Sequence, residues 1–121
     1  MESTENTENY IRIVYKSSDF ELFYSSLTLK TKIKFDYVIN VISTIYNVPT
    51  KFIKHLDNTN LYEMRVSIGS NEYRTVLFAI DHTNFIEATK IILLNAFLKK
   101  DNKDYRKQIE LANKILDNLK S

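Results

Sequence analysis

Residues 61–81, LYEMRVSIGSNEYRTVLFAID, hold the pattern that decides the fold. Every second residue from Tyr62 to Ile68 is apolar or aromatic, which is the spacing of a strand with one buried face. The only glycine of the chain, Gly69, follows, and a second run rich in aromatic and β-branched residues begins three residues later. Because glycine adopts the positive φ that a tight turn between two strands requires, the stretch predicts a β-hairpin.

The residues before the hairpin predict a strand and two helices. Residues 10–16, YIRIVYK, alternate like a strand, and apolar residues at helical spacing then define a short helix capped by Ser18 or Asp19. A longer helix follows over about residues 31–47. Pro49 ends that pattern and begins a turn or a short helical piece that leads to the hairpin.

The residues after the hairpin predict a third strand and a C-terminal helix. Residues 85–99 suit a helix as well as a strand, and we interpret their second half as a strand, because two paired strands need a third to be stable. An amphipathic helix follows over about residues 104–120. The sequence therefore predicts an α+β fold that combines an antiparallel sheet with two N-terminal helices and a C-terminal helix.

Composition narrows the class of protein. The 121 residues fit one domain, and a hydrophobic fraction of 44% suffices for a core. Cysteine is absent, which excludes a disulfide framework and a Cys-based zinc site and fits a reducing compartment. The acidic start, MESTENTENY, lacks signal-peptide character, and apolar runs of about four residues are too short to span a membrane. We therefore expect a cytoplasmic protein.

Charge is distributed unevenly along the chain. Residues 1–27 contain two basic and five acidic residues, a net of −3, whereas residues 28–121 contain 15 basic and 10 acidic residues, a net of +5. A positive surplus on the folded body allows a polyanionic partner without requiring one. The densest part is residues 95–107, NAFLKKDNKDYRK, with five Lys or Arg, which is either a solvated linker or a phosphate site.

The predicted sheet brings basic residues from separate parts of the chain together. Arg65 and Arg74 lie on the two strands of the hairpin, and Lys99 and Lys100 follow the third strand. Arginine offers planar, bidentate donors to phosphate, and lysine offers a point charge. Tyrosine rings can stack on RNA bases. The further RNA-binding candidates are Lys103, Arg106, Tyr62, Tyr73 and Tyr105; the alternative is that such charges only make the surface soluble.

Three blocks follow one another at short spacing. They are KHL with LYEMR (54–65), YRTVLF (73–78) and FLKK (97–100), the last followed by Ile109, Glu110 and Ala112. In this order they resemble the HigB-like toxins of phage-derived type, within the RelE/ParE superfamily, over about residues 54–113. The resemblance implies a RelE-like fold, with residues 10–121 as one toxin domain behind a flexible arm, residues 1–9.

The resemblance also implies a function. Such proteins are toxins of type II toxin–antitoxin systems, and this branch cleaves mRNA on the ribosome, without a metal or cofactor, and so inhibits translation. The implied partners are a cognate antitoxin, often with a helix-turn-helix domain, together with the ribosome and mRNA, and no membrane. By resemblance, Arg65 and Arg74 contact the scissile phosphate, Lys99 and Lys100 line the same catalytic site, and Lys103 and Tyr105 are weaker candidates.

Some residues depart from the family pattern, and two alternative functions stay open. Asn95–Ala96 stand where the family often has His-Gly, and Asp101 and Asp104 reduce the positive field. The alternatives are a ParE-like toxin that acts on DNA gyrase and a non-catalytic phage-accessory binding domain. We interpret His55 as a structural or surface residue and Glu63 as a solvated charge rather than the ion-pair partner of an arginine.

Overall fold

The structure of the protein, a computed structural model, describes residues 10–120. The predicted flexible arm, residues 1–9, lies outside these residues. Within them, the helices and strands are β1 (Ile13–Lys16), α1 (Ser18–Ser25), α2 (Leu29–Thr44), β2 (Ile53–His55), β3 (Leu61–Ile68), β4 (Asn71–Ala79), β5 (Lys90–Leu98) and α3 (Asn102–Lys120), with a 3-10 turn at Phe85–Glu87. The predicted α+β class, with two N-terminal helices and a C-terminal helix, is confirmed.

The strands form one sheet in the order β1-β5-β4-β3-β2. Strands β2 to β5 pair antiparallel, and for β3, β4 and β5 this was predicted. Strand β1 pairs parallel to β5, with Ile13 opposite Lys90 and Lys16 opposite Leu93, so the sheet is mixed. Parallel partners are not joined by a tight turn, and strands so distant in the chain leave no local signal in the sequence.

The hairpin forms as the sequence predicts. Strands β3 and β4 pair from Leu61 opposite Phe78 to Ile68 opposite Asn71. Gly69 in the turn has a φ of +59°, and a Cβ added there would meet no atom within 4 Å. The glycine is therefore required by the backbone conformation of the turn and not by lack of space.

Strand β2 corrects the prediction of a turn or helical piece after Pro49. The carbonyl of Pro49 does accept hydrogen bonds from the N–H groups of Phe52 and Ile53, which is a local helix-like turn. The chain then extends, and Ile53–His55 pairs antiparallel with β3, with Lys54 opposite Glu63. Three residues are too few to show the alternation by which a strand is recognised.

Strand alternation decides which residues face which helices. Helices α1 and α2 cover one face of the sheet, where Phe35 and Met64 are fully buried. Helix α3 packs on the other face, where Val76 lies in the same cluster as Ala112. Because successive residues of a strand point to opposite sides, the odd-numbered residues of β3 and the even-numbered residues of β4 face α3.

A buried arginine, Arg12, ties the start of the chain to two distant segments. Its guanidinium donates to the carbonyls of three residues at the end of α2 and two in the 3-10 turn before β5, over 2.7–3.2 Å: Ile42, Ile45, Tyr46, Phe85 and Ile86. The guanidinium also lies 4.5 Å from the centre of the Phe85 ring. A cation is favoured at the C-terminal end of a helix, where carbonyls lack intrahelical partners.

Candidate nucleic-acid interface

Glu63 lies at the centre of a cluster of polar groups on the α3 face of the sheet. Only 2% of Glu63 is exposed. Arg65 donates from Nε to Oε2 of Glu63 over 2.7 Å, Arg74 Nε lies 3.7 Å from the same oxygen, and the Tyr105 hydroxyl donates to Oε1. A buried carboxylate is stable only when it is paired in this way, so the interpretation of Glu63 as a solvated charge was wrong.

Arg65 and Arg74 stand directly opposite each other on β3 and β4. Like charges at opposite positions repel, and two glutamates offset the repulsion. Besides its contact with Glu63, Arg74 donates from Nη1 to Glu72 Oε1 over 3.3 Å and to the Tyr73 carbonyl over 3.1 Å. The side chain of Arg74 is 8% exposed and that of Arg65 is 28% exposed. Arg65 therefore reaches the surface, whereas Arg74 is largely buried.

A cleft of about 380 Å³ opens over this cluster, between β2, β3 and the start of α3. Its charged and hydroxyl-bearing lining residues include Lys54, Asp57, Thr59, Glu63, Arg65, Lys99, Tyr105 and Arg106. Within the described part of the chain, the side chains of Lys54, Lys99 and Arg106 make no hydrogen bond or ion pair. Lys54 and Arg106 lack such contacts, and Lys99 has an electrostatic attraction to Glu72 outside ion-pair distance, so the cleft is suited to an anion such as the phosphate chain of RNA.

The structure separates Lys100 and Lys103 from the cleft. Residues of α3 that line the cleft follow helical spacing, from Asn102 through Tyr105 and Arg106 to Ile109. Lys103 lies outside this stripe, and Lys100 is an exposed residue of the link between β5 and α3. The structure therefore does not group Lys100 and Lys103 with the arginines in one site. The direction of α3 decides which of the five basic residues in 95–107 face the cleft.

Tyr62 and Tyr73 lie on the opposite face of the sheet from the cleft, so the structure does not bring them together with Arg65, and their role in RNA stacking stays a prediction. The Tyr73 ring packs against Phe35, with ring centres 5.5 Å apart. The Tyr62 hydroxyl accepts a hydrogen bond from the Phe85 N–H and donates to the Thr83 carbonyl. Each tyrosine directly precedes a residue of the Glu63 cluster, and one step along a strand changes the face.

Lys54 is a cleft residue that the sequence-based prediction missed. It lies opposite Glu63 across the β2–β3 pair, which directs the lysine to the same face of the sheet. The signal lay in the KHL block, 54–56, but reading this segment as a helical piece concealed the pairing. His55 and Asp57 also line the cleft, and His55 Nε2 lies 2.7 Å from the Thr59 carbonyl.

Tyr105 joins α3 to the floor of the cleft. Burial and the hydrogen bond to Glu63 raise the pKa of Tyr105 above its usual value. The phenol is therefore a protonated donor throughout the physiological pH range. Its ring also packs edge-on against Phe97, with centres 5.8 Å apart.

Replacing Tyr105 with phenylalanine is expected to lower the free energy of unfolding by about 2 kcal/mol, because Glu63 loses a donor while it stays buried. Since the folded protein holds the Tyr105 proton more tightly than the unfolded chain, this stabilisation is fully present below about pH 10 and decreases as the pH rises above that value. Urea denaturation at pH 7 and pH 11 measures both effects. The matched control is Tyr37→Phe, at an exposed position of α2; an equal loss in both variants would contradict the role of Glu63.

Two kinds of feature are absent from residues 10–120. No three His, Asp or Glu side chains there are grouped closely enough to hold a metal ion. No helix there is both long enough and apolar enough to cross a membrane.

The fold defines a class of protein. A mixed five-stranded sheet with helices on both faces is consistent with a RelE-like fold, although the arrangement of the helices differs slightly. The chain belongs to the family described as Phage derived protein Gp49-like (DUF891), whose model matches residues 23–117, and this family is RelE-like. Neither the comparison with curated proteins nor that with solved structures found a match.

Proposed function

We propose that the protein is the toxin of a toxin–antitoxin pair, and that it inhibits translation by cleaving mRNA on the ribosome without a metal. Membership of a RelE-like toxin family supports the first part. The second part is supported by the convergence of Arg65 and Arg74 on one buried carboxylate, with Arg65 lining a cleft whose rim also carries Lys54, Lys99 and Arg106. This convergence is the single observation on which the catalytic proposal depends.

Arg65 is the residue best placed to bind the reacting phosphate. Its Nε is held by Glu63, while its two terminal nitrogens make no hydrogen bond with the described residues. A guanidinium fixed in this way presents two parallel donors to a phosphate, with little loss of side-chain freedom on binding. Glu63 therefore acts as a positioning residue for Arg65.

The proposed reaction needs no nucleophile from the protein. The 2′-oxygen of the RNA attacks the adjacent phosphorus, the bond from phosphorus to the 5′-oxygen breaks, the 2′-hydroxyl loses its proton and the 5′-oxygen gains one. The products are a 2′,3′-cyclic phosphate and a 5′-hydroxyl. Negative charge accumulates on the phosphate oxygens in the transition state, where the fixed donors of Arg65 stabilise it without reorganisation.

A non-catalytic docking role is the second candidate, and one observation favours it. Glu63 and Glu72 offset much of the charge of Arg74, whose side chain is 8% exposed, so part of the positive charge serves the fold itself. A protein that only binds an anionic partner needs the exposed cations Lys54, Lys99 and Arg106 and not the buried cluster around Glu63.

The proposed function is tested by adding the purified protein to a reconstituted translation reaction and, in parallel, to a DNA gyrase supercoiling assay. We expect protein synthesis to stop and supercoiling to continue. Inhibited supercoiling with normal translation would instead identify a ParE-like toxin. If neither assay responds to a folded protein, the docking role is favoured.

Replacing Lys54 with glutamine is expected to weaken binding of a single-stranded RNA and to reduce the salt dependence of that binding. If Lys54 contacts one phosphate, the slope of log affinity against log salt falls by about 0.7. Fluorescence anisotropy with a labelled RNA over a salt series gives this slope. The matched control is Lys30→Gln on α2, away from the cleft; equal slopes for the two variants would exclude the contact.

A further inference from the structure

The α3 face of the sheet is only partly covered by helix. Neighbouring strands lie about 4.8 Å apart and a helix with its side chains is about 10 Å wide, so five strands accommodate about two helices on each face. Helices α1 and α2 occupy one face, whereas α3 is the only helix of the described residues that packs on the other. The uncovered part lies where β1, β5 and the end of β4 run side by side.

Two rows of side chains cross these three strands, and we call them the open sheet face. The register between the strands gives both rows, and Ile80 joins the first because its N–H donates to the Lys90 carbonyl. The first row is Ile13, Lys90 and Ile80, and the second row is Tyr15, Ile92 and Phe78. The face is therefore apolar apart from one lysine.

The apolar residues of this region are more exposed than those of a covered sheet face. The exposed fraction is 55% for Ile13, 45% for Tyr15 and 44% for Ile80, and it is 54% for Leu119 at the neighbouring end of α3. Val14 packs under α1 and α2, so Ile13 and Tyr15 point to the α3 side. Exposed apolar residues that adjoin one another in this way mark an interaction surface, whereas single ones do not.

A groove of about 390 Å³ lies between the open sheet face and the end of α3. Phe78, Ile80 and Ile92 form its sheet side, and Leu116 and Leu119 of α3 form the other. At its end, Lys120 Nζ lies 5.1 Å above the centre of the Phe78 ring. A second helix beside α3 fits such a groove better than a flat partner does.

We propose that the open sheet face and this groove bind an amphipathic helix with acidic flanks, supplied by a partner protein. Lys90 and Lys120 are the charged side chains at the groove and the two rows among the described residues. Carboxylates that flank an apolar helix face satisfy both lysines while the apolar residues cover the sheet.

Two other occupants fit the surface less well. A second copy of the chain, bound through the same face, would add a second Lys90 and a second Lys120 to the interface, and like charges in an interface oppose association. Residues 1–9, MESTENTEN, contain no apolar residue besides Met1 and so offer no apolar helix face.

The spacing of the two rows matches the spacing of side chains on a helix. Residues two apart on a strand are about 6.7 Å apart, and residues four apart on a helix rise by about 6 Å. A helix that lies along the strands therefore places its i and i+4 side chains over successive rows. Under the proposed function this helix belongs to the antitoxin. That identity rests on the proposed function, but the docking does not.

The docking is tested with two synthetic helical peptides of about 16 residues, long enough to hold a helix. Both carry the same leucine face, and one has glutamates and the other lysines at the flanking positions. Each is titrated into the isotopically labelled protein, and amide chemical shifts map the contact. The protein variants are Ile80→Ser and Lys90→Glu, with Leu22→Ser on α1 and Lys30→Glu on α2 as matched controls.

We expect the glutamate peptide to shift the amide signals of Ile13, Tyr15 and Ile80. Ile80→Ser should weaken binding of the glutamate peptide about tenfold, because the bound peptide would bury the exposed Ile80 side chain and the variant lacks that apolar side chain. Lys90→Glu should weaken the glutamate peptide and strengthen the lysine peptide, and neither control should change binding. Absent shifts, shifts elsewhere on the protein, or equal binding of both peptides would overturn the proposal. No RNA is present, so failed cleavage and failed docking are separate results.

Discussion

Replacing Arg65 with alanine is expected to slow mRNA cleavage by roughly 10²–10³-fold, the effect of removing one preorganised donor from a transition-state oxyanion. Arg65 suits this role because its Nε is fixed on Glu63 while the rest of the guanidinium faces the cleft. Single-turnover cleavage of a defined mRNA on ribosomes gives the rate. Arg65→Lys should recover only part of the loss, because lysine lacks the planar pair of donors.

The control for this prediction separates chemistry from charge. Arg106→Ala removes a cation from the rim of the same cleft, and we expect a loss of less than about tenfold, in substrate affinity more than in the rate of the chemical step. A loss below about fivefold for Arg65→Ala in a folded protein would contradict the catalytic role of Arg65. Equal losses in the two variants would indicate that the cleft contributes only an electrostatic field.

Arg74 is less suitable than Arg65 for this experiment, although both arginines lie on the same hairpin. Its guanidinium is largely buried and is held by Glu63, Glu72 and the backbone of Tyr73. Removing it leaves the buried Glu63 carboxylate with one cation fewer, which destabilises the fold. Loss of activity in an Arg74→Ala variant would therefore combine loss of structure with any loss of chemistry.

Replacing Arg12 with methionine is expected to lower the free energy of unfolding by about 4 kcal/mol, because five backbone carbonyls lose a donor and methionine fills the space without replacing any of them. Only 2% of Arg12 is exposed, so water cannot take over all of these contacts. For a domain of this size the loss corresponds to a Tm lower by roughly 15 °C. Urea denaturation and thermal unfolding followed by circular dichroism measure both quantities.

Lys16→Met is the matched control, because Lys16 is an exposed residue at the other end of β1. We expect its stability to lie within about 0.5 kcal/mol of that of the natural sequence. Arg12→Lys should lose nearly as much stability as Arg12→Met, since one ammonium cannot reach carbonyls at both α2 and the turn before β5. Unchanged stability of Arg12→Met would show that these carbonyls are satisfied in another way.

The elements that the sequence predicted well are those with local signals. Gly69 marked the hairpin, and the hairpin in turn placed Arg65 and Arg74 on adjacent strands, where the structure has them directly opposite. Elements without local signals were missed. β2 has only three residues, and the parallel partner of β1 lies more than 70 residues away in the chain.

The site was harder to predict than the fold, for two different reasons. The separation of Tyr62 from Arg65 was already contained in the strand alternation, which places Tyr62 with Met64 on the buried face, so this separation was foreseeable. The burial of Glu63 was not foreseeable, because its partner Tyr105 lies 42 residues away in the sequence and the contact depends on how α3 packs. Local patterns do not report such packing.

The most direct test of the central claim is to map the 5′ ends of a defined mRNA after incubation with the purified protein, with and without translating ribosomes. The natural sequence and the Arg65→Ala variant are compared at equal concentration, after circular dichroism has shown that both are folded. The account predicts new 5′ ends only when ribosomes are present, and far fewer of them with Arg65→Ala. No new ends with the folded natural sequence, or equally frequent ends with both proteins, would contradict it.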